Sequence, residues 1–166
     1  QLNTDSLYIN VDSIYFNIDK DYFSSVIRIK GLKTPDIHVK MNTDIDLEKW
    51  SKATGLNSLE LKGRLQAHLQ ADGKYATSVV YKGLRKQADT IISSIPVFNF
   101  QSTLRNGYFK LAAMPEAVNN VSFNAQASCP DGNYTHTHFN ITDINANMLS
   151  NYIKGYLRVS NAQQPL

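Results

Sequence analysis

The chain has 166 residues, of which 42% are hydrophobic and 19% charged, with a formal net charge of +3. This length favours a single domain with a real core, and the small, dispersed charge argues against nucleic acid binding, which needs clustered lysine and arginine. No apolar run approaches the roughly 20 residues that a membrane-spanning helix needs.

Alternation of apolar and polar residues predicts that most of the chain is β-strand. Residues 37–45 alternate with a period of two, and the same period recurs over residues 59–71, 98–104, 121–127 and 135–141. The nine tyrosines and seven phenylalanines also favour strands. We therefore expect a mainly β fold, an antiparallel curved sheet or an open sandwich or groove of repeat type, with one short helix.

The short helix is predicted over residues 47–53. Asp46 is suited to cap its N-terminus, and Gly55 stands where a left-handed residue commonly ends a helix. Residues 76–95 combine helical spacing with β-branched pairs, so this stretch is interpreted as a linker with a possible helix.

Three turn signals separate the predicted strands. Asn-Gly at 106–107 predicts a tight hairpin between residues 101–104 and 108–111, since both turn positions tolerate a positive φ. Pro-Asp-Gly at 130–132 predicts a second hairpin, and Asp-Gly at 72–73 predicts a third turn or bend.

The start of the chain reappears near its end. Residues 9–35 align with residues 139–165 at a constant offset of 130 positions, so that Tyr22 meets Tyr152. Repeat proteins add such units end to end, each covering the open side of its neighbour. We interpret residues 1–166 as a single β-rich domain and expect it to be a slice of a longer repeat array.

A series of strand and turn motifs follows in a characteristic order along the chain. The motifs are PDIHVK at 35–40, DIDLE at 44–48, LKGRLQA at 61–67, DGK at 72–74, IP at 95–96, LRNGYF at 104–109 and MPEAVNNV at 114–121. Their order, from about residue 7 to residue 159, is similar to that of the AsmA-like family, in particular its Bacteroidetes members.

The resemblance implies a large envelope protein of a Gram-negative bacterium with long periplasmic repeats of β-strand. Members of the family are usually anchored in the inner membrane, and the apolar interior of their curved sheet is expected to carry phospholipid towards the outer membrane. The resemblance thus implies a non-catalytic periplasmic segment involved in outer-membrane biogenesis or phospholipid transport. Its implied partners are lipid acyl chains and neighbouring repeats of the same chain.

The apolar side of the predicted sheet supplies the candidate lipid-facing residues. They are Leu61, Leu65, Leu69, Phe98, Phe100, Phe123 and Phe139. Hydrocarbon buried against such a face gains about 0.8 kcal/mol per CH₂ group. The same alternation also builds the closed core of a β-sandwich, which stays open as an alternative.

No catalytic residue, metal ligand or cofactor is predicted. The sequence lacks the nucleophile-elbow, phosphate-loop and dinucleotide-binding glycine motifs. His136 and His138 share one face of a predicted strand without a third ligand at metal-binding spacing, which favours a solvated polar face. The single cysteine, Cys129, excludes an internal disulfide and is interpreted as a structural thiol.

A second class of function is a β-rich surface module that binds a ligand or glycan through Trp50 or exposed tyrosines. An exposed aromatic platform would favour this class. A continuous apolar face would favour lipid handling.

Overall fold

The computed structural model describes residues 7–55, 58–83 and 87–160. The described chain is mainly β, as predicted, with a single α-helix. The strands are β1 (Tyr8–Ile18), β2 (Asp21–Lys30), β3 (Asp36–Asp46), β4 (Leu59–Lys74), β5 (Ala76–Lys82), β6 (Gln87–Ser94), β7 (Val97–Leu111), β8 (Val118–Cys129), β9 (His138–Met148) and β10 (Asn151–Ser160), and the helix is α1 (Leu47–Ala53).

Eight of the strands form one antiparallel sheet in the order β1-β2-β3-β4-β7-β8-β9-β10. Neighbouring strands of this sheet are thus consecutive in the chain, except that β5 and β6 come between β4 and β7 in the sequence. These two strands form a separate two-stranded sheet. Among the described strands β1 pairs only with β2, and β10 pairs only with β9. The large sheet is therefore open at both edges.

The helix forms where the sequence predicts it. The Asp46 side chain accepts a hydrogen bond from the Glu48 N–H at 2.9 Å, which satisfies one of the free donors of the first turn. Gly55 follows the last turn with a φ of +68°, a conformation that glycine adopts without strain.

The prediction of a linker or helix over residues 76–95 is wrong, since β5 and β6 form an antiparallel hairpin there. Val79 pairs with Thr90, and Ser78 pairs with Ile91. β-Branched side chains fit the pleated surface of a strand and lose rotamer freedom in a helix, so these residues override the helical spacing.

The hairpin predicted at Asn106-Gly107 is also wrong, because β7 runs through both residues. Asn106 does have a positive φ, of +51°, but it occupies a bulge in which residues 106 and 107 lie opposite the single residue Gly63 of β4. A bulge and a tight hairpin both require a residue with a positive φ. The sequence therefore predicts the φ of Asn106 correctly, but it does not distinguish between the two structures.

This bulge belongs to a line of irregularities that crosses the sheet. Register shifts occur next to Gly63 on β4, at 105–107 on β7, at 119–120 on β8 and at 142–144 on β9, where Gly155 of β10 lies opposite Ile144. Bulges bend a strand and increase its twist. We call this line the crease of the sheet.

The other two predicted turns differ in form. Residues 130–137 connect the antiparallel pair β8 and β9 and include a 3-10 turn at Tyr134–His136, so the strand predicted from residue 135 starts only at His138. Gly73 has a φ of +127° and lies next to the end of β4, where the chain bends out of the large sheet.

The hairpins β1–β2 and β9–β10 have the same register. Ile9 pairs with Ile29 as Phe139 pairs with Val159, and every other residue pair of β9–β10 also has its counterpart 130 residues earlier in β1–β2. The bulge falls at the same place in both hairpins. Pro165, which aligns with Pro35, lies outside the described residues.

Candidate functional site

The seven candidate lipid-facing residues lie on one face of the large sheet. Residues directly opposite each other on neighbouring strands share a face, and so do alternate residues along a strand. The cross-strand pairs are Leu69 with Phe100, Phe100 with Ala127, Ala127 with Phe139, Ala71 with Phe98, Leu65 with Leu104, and Leu104 with Phe123. Leu61 joins the same face, since it lines a cavity of about 300 Å³ together with Leu104 and Phe109.

The apolar face extends beyond these seven residues to both edges of the sheet. On the β1 side it continues through Met41, which pairs with Leu69, and on the β10 side through Val159, which pairs with Phe139. With strands about 4.8 Å apart, eight strands span roughly 34 Å. The face is thus longer than the roughly 15 Å hydrocarbon depth of one membrane leaflet.

The share of the face that lies on β1, β2 and β10 was not predicted from the sequence. Near one edge of the sheet this face includes Ile27 of β2, which pairs with Val39, and at the other edge it includes Ile153 and Leu157 of β10. The 130-residue repeat contains the information needed to predict these positions, because it aligns Phe23 with Ile153 and Ile27 with Leu157. Apolar positions of one hairpin therefore identify those of the other.

The opposite face of the sheet is polar. One row of paired residues crosses it from Asn42 through His68, Gln101, Gln126 and Asn140 to Arg158. Within this row His68 Nδ1 is hydrogen bonded to Asn42 Oδ1. A sheet with one polar and one apolar face needs a cover only on its apolar side.

That cover is slight in the described part of the chain. Ile45, Ala125 and Cys129 are its only buried hydrophobic residues, whereas all seven candidates are half-buried. A closed sandwich would bury the inner face of both of its sheets. The eight strands form one open sheet among the described residues, instead of the closed core that the alternation also allowed.

Helix α1 covers one end of the apolar face. Leu47 lines the 300 Å³ cavity with Leu61, and Ile45, which directly precedes the helix cap, is buried. At its other side α1 places Trp50 against Phe16 of β1, with ring centroids 5.2 Å apart. The rest of the apolar face lies beyond the helix.

A polar cluster holds the strands together beside α1. Asp21 is 3% exposed and accepts hydrogen bonds from Arg64 Nη1 at 2.5 Å and from the Asp46 N–H at 3.1 Å. Arg64 also donates to the Lys20 carbonyl at 2.6 Å and to the Asp44 carboxylate. One guanidinium thereby links β2, β3 and β4.

The same cluster sets the charge state of Asp44. Partial burial acts to raise the pKa of this carboxyl, but hydrogen bonds from Gln66 and Arg64 and the charge of Arg64 outweigh it, so the pKa lies below its ordinary value. Asp44 is therefore a structural ion-pair partner of Arg64.

The other singled-out residues have structural contacts. No group of three or more His, Cys, Asp or Glu residues suited to a metal ion occurs in the described ranges. His136 Nδ1 lies 2.6 Å from Asp131 Oδ2 across the β8–β9 connection. Cys129 is buried and its thiol contacts the Asn133 carbonyl at 3.3 Å.

Comparisons with known proteins give no family assignment. No protein-family model, no curated protein and no solved structure matches this chain. Among the described residues no helix is both long and apolar enough to cross a membrane.

Proposed function

We propose that this chain is a non-catalytic lipid-handling segment that holds acyl chains on its open apolar sheet face. The proposal places it in the periplasmic repeat region of an envelope protein similar to the AsmA-like family, with the parent protein anchored in the inner membrane. Outer-membrane biogenesis or phospholipid transport between the membranes is the corresponding role.

One observation carries the proposal: an apolar face crosses all eight strands of the large sheet, and the described residues leave all seven candidate side chains on it only half-buried. Exposed apolar patches of this extent are unusual on soluble monomers and mark binding surfaces. Burial of a hydrocarbon chain on this face favours binding, since six buried CH₂ groups alone contribute about 5 kcal/mol to the binding free energy.

The equal registers of the two terminal hairpins support the repeat part of the proposal. In β1–β2 the outer edge of β2 binds β3 from Tyr22 opposite Asp44 to Lys30 opposite Asp36. β10 corresponds to β2 and its ten residues are all exposed. We infer that β10 receives a strand equivalent to β3 from a neighbouring repeat, which extends the apolar face past this edge.

The glycan-binding alternative has less support. Trp50 is half-buried and its ring is tilted against Phe16, so part of the ring is covered. The most exposed tyrosines of the large sheet are Tyr15 on β1 and Tyr152 and Tyr156 on β10, at opposite edges. The width of the sheet therefore separates Tyr15 from Tyr152 and Tyr156.

A pair of variants on one strand tests the proposed face. Leu69→Asp places a carboxylate on the apolar face, and Gln70→Asp places the same group on the polar face one residue away. We expect Leu69→Asp to weaken phospholipid binding by about tenfold or more, since desolvating a carboxylate costs well over the roughly 1.4 kcal/mol of one decade. Gln70→Asp should bind as the wild type does.

Binding is measured as transfer of a fluorescently labelled phosphatidylethanolamine from vesicles to the protein. A thermal melt of each variant accompanies the assay, because Leu69 is half-buried and its replacement must leave the fold intact. Equal lipid binding by two folded variants would count against this face as the lipid site. Metal-dependent hydrolysis of the phospholipid would overturn the non-enzymatic part of the proposal.

A further inference from the structure

A second cavity, of about 470 Å³, lies between α1 and the first hairpin of the sheet. It is lined by Phe16, Asp21, Lys49, Trp50, Ala53 and Thr54. Its exposed lining is almost wholly apolar, although two of these six residues are charged. The cavity therefore presents mainly hydrocarbon and aromatic surface to a ligand.

Aromatic rings connect this cavity with the apolar face. Trp50 contacts Phe16 at a ring tilt of 46°, and Phe16 stacks on Phe23 with centroids 5.4 Å apart. Phe23 pairs with Thr43, and Thr43 with Ala67, so these rings belong to the face that carries Leu65 and Leu69. The cavity is therefore a recess at the α1 end of that face.

The polar groups at the cavity already have protein partners. Lys49 Nζ lies 2.8 Å from Asp19 Oδ2 in the turn between β1 and β2. The two carboxylate oxygens of Asp21 accept from Arg64 and from the Asp46 N–H. A charged headgroup would have to displace these partners, whereas hydrocarbon would contact only rings, methyl groups and methylene stems.

We propose that this recess takes the methyl end of one acyl chain of a bound lipid, under the Trp50 ring. The inference rests on the proposed lipid-handling function and adds an orientation to it. The chain lies along the apolar face with its end at α1, and the headgroup stays at the part of the face away from the helix. Helix α1 thereby acts as an end stop.

The single tryptophan makes this testable in the unmodified 166-residue chain, because all tryptophan fluorescence comes from Trp50. The probes are two phosphatidylcholines with bromine atoms on the acyl chain, near the methyl end in one and near the carbonyl end in the other. Bromine quenches tryptophan on close approach. We expect the methyl-end probe to cause the greater loss of Trp50 fluorescence.

A cavity-filling variant gives an independent check. Ala53→Phe puts a ring into the recess, and Lys52→Phe adds the same ring at a neighbouring helix position whose side chain is 74% exposed and lines no part of the cavity. Quenching by the methyl-end probe should be lost in Ala53→Phe and kept in Lys52→Phe. Circular dichroism of both variants verifies the fold.

Native mass spectrometry of the same samples measures bound lipid separately and distinguishes the two proposals. Lipid bound without quenching, or with equal quenching by both probes, overturns the end-stop inference and leaves the proposed function standing. Absence of bound lipid overturns both.

Discussion

Replacing Gly63 by alanine is expected to lower the free energy of unfolding by roughly 3 kcal/mol, through backbone strain and overpacking together. Gly63 has a φ of +118°, which residues with a Cβ atom rarely adopt. An added Cβ would also lie 2.8 Å from the Arg105 carbonyl oxygen and 2.9 Å from the Gly107 Cα. Both neighbours are backbone atoms of the crease, so neither can turn away.

Two further glycines separate these contributions. Gly155 lies beside the same crease on β10, has no positive φ and has no atom within 4 Å of the place that a Cβ would take, so Gly155→Ala should change stability by less than about 0.5 kcal/mol. Gly55 has a φ of +68° but equally open surroundings, so Gly55→Ala reports backbone strain of about 1 kcal/mol. Urea unfolding measures all three. Equal stability of Gly63→Ala and Gly155→Ala would contradict a close-packed crease.

Replacing Arg64 by methionine is expected to cost about 3 kcal/mol of stability, because it leaves the buried Asp21 carboxylate without its cation. The value is at the low end for such a loss, since the Arg64 side chain is itself 33% exposed. Arg28→Met is the matched control: Arg28 pairs with the exposed Asp12 at 3.5 Å, and its loss should cost less than about 1 kcal/mol.

The double variant Arg64→Met with Asp21→Asn identifies the cause. If an unpaired buried charge is responsible, the neutral amide should restore part of the lost stability while still accepting from the Asp46 N–H. A double variant less stable than Arg64→Met alone would instead point to lost packing of the arginine side chain.

The Arg64 cluster also predicts how stability depends on pH. The pKa of Asp44 is lowered in the folded protein, so the unfolded chain binds the proton at a higher pH than the folded chain does. The contribution of Asp44 is therefore complete above the ordinary aspartate pKa and is lost as the pH falls towards the lowered value. Acid denaturation of Arg64→Met should show a weaker dependence over this range.

The alternation of side chains was sufficient to predict much of the fold, because it is a property of the strand itself. Residues 37–45 and 59–71 read as strands from the sequence and lie in β3 and β4. The helix could also be predicted from the sequence, since its cap is a local contact: Asp46 accepts a hydrogen bond from the N–H of Glu48, two positions away. The same alternation selected the seven candidate residues, which share one face.

Structural features that depend on residues distant in the sequence could not be predicted from local patterns. The sequence predicts a positive φ at Asn106. Only the pairing with Gly63 on the neighbouring strand β4 determines that the chain continues there as a bulge. The hairpin at residues 76–95 was missed because helical spacing and β-branched residues conflict there, and cross-strand pairing decides the outcome.

The sequence by itself determined which residues are apolar on alternate positions, where the short helix begins, and that residues 9–35 recur at an offset of 130 residues. These are consequences of dihedral preference and side-chain period, which neighbouring residues set. The tertiary structure decided that the apolar face stays open, that Arg64 meets Asp21 across 43 positions of sequence, and that Trp50 closes a recess over Phe16. Such contacts depend on strand order and on what covers a face, and local sequence specifies neither.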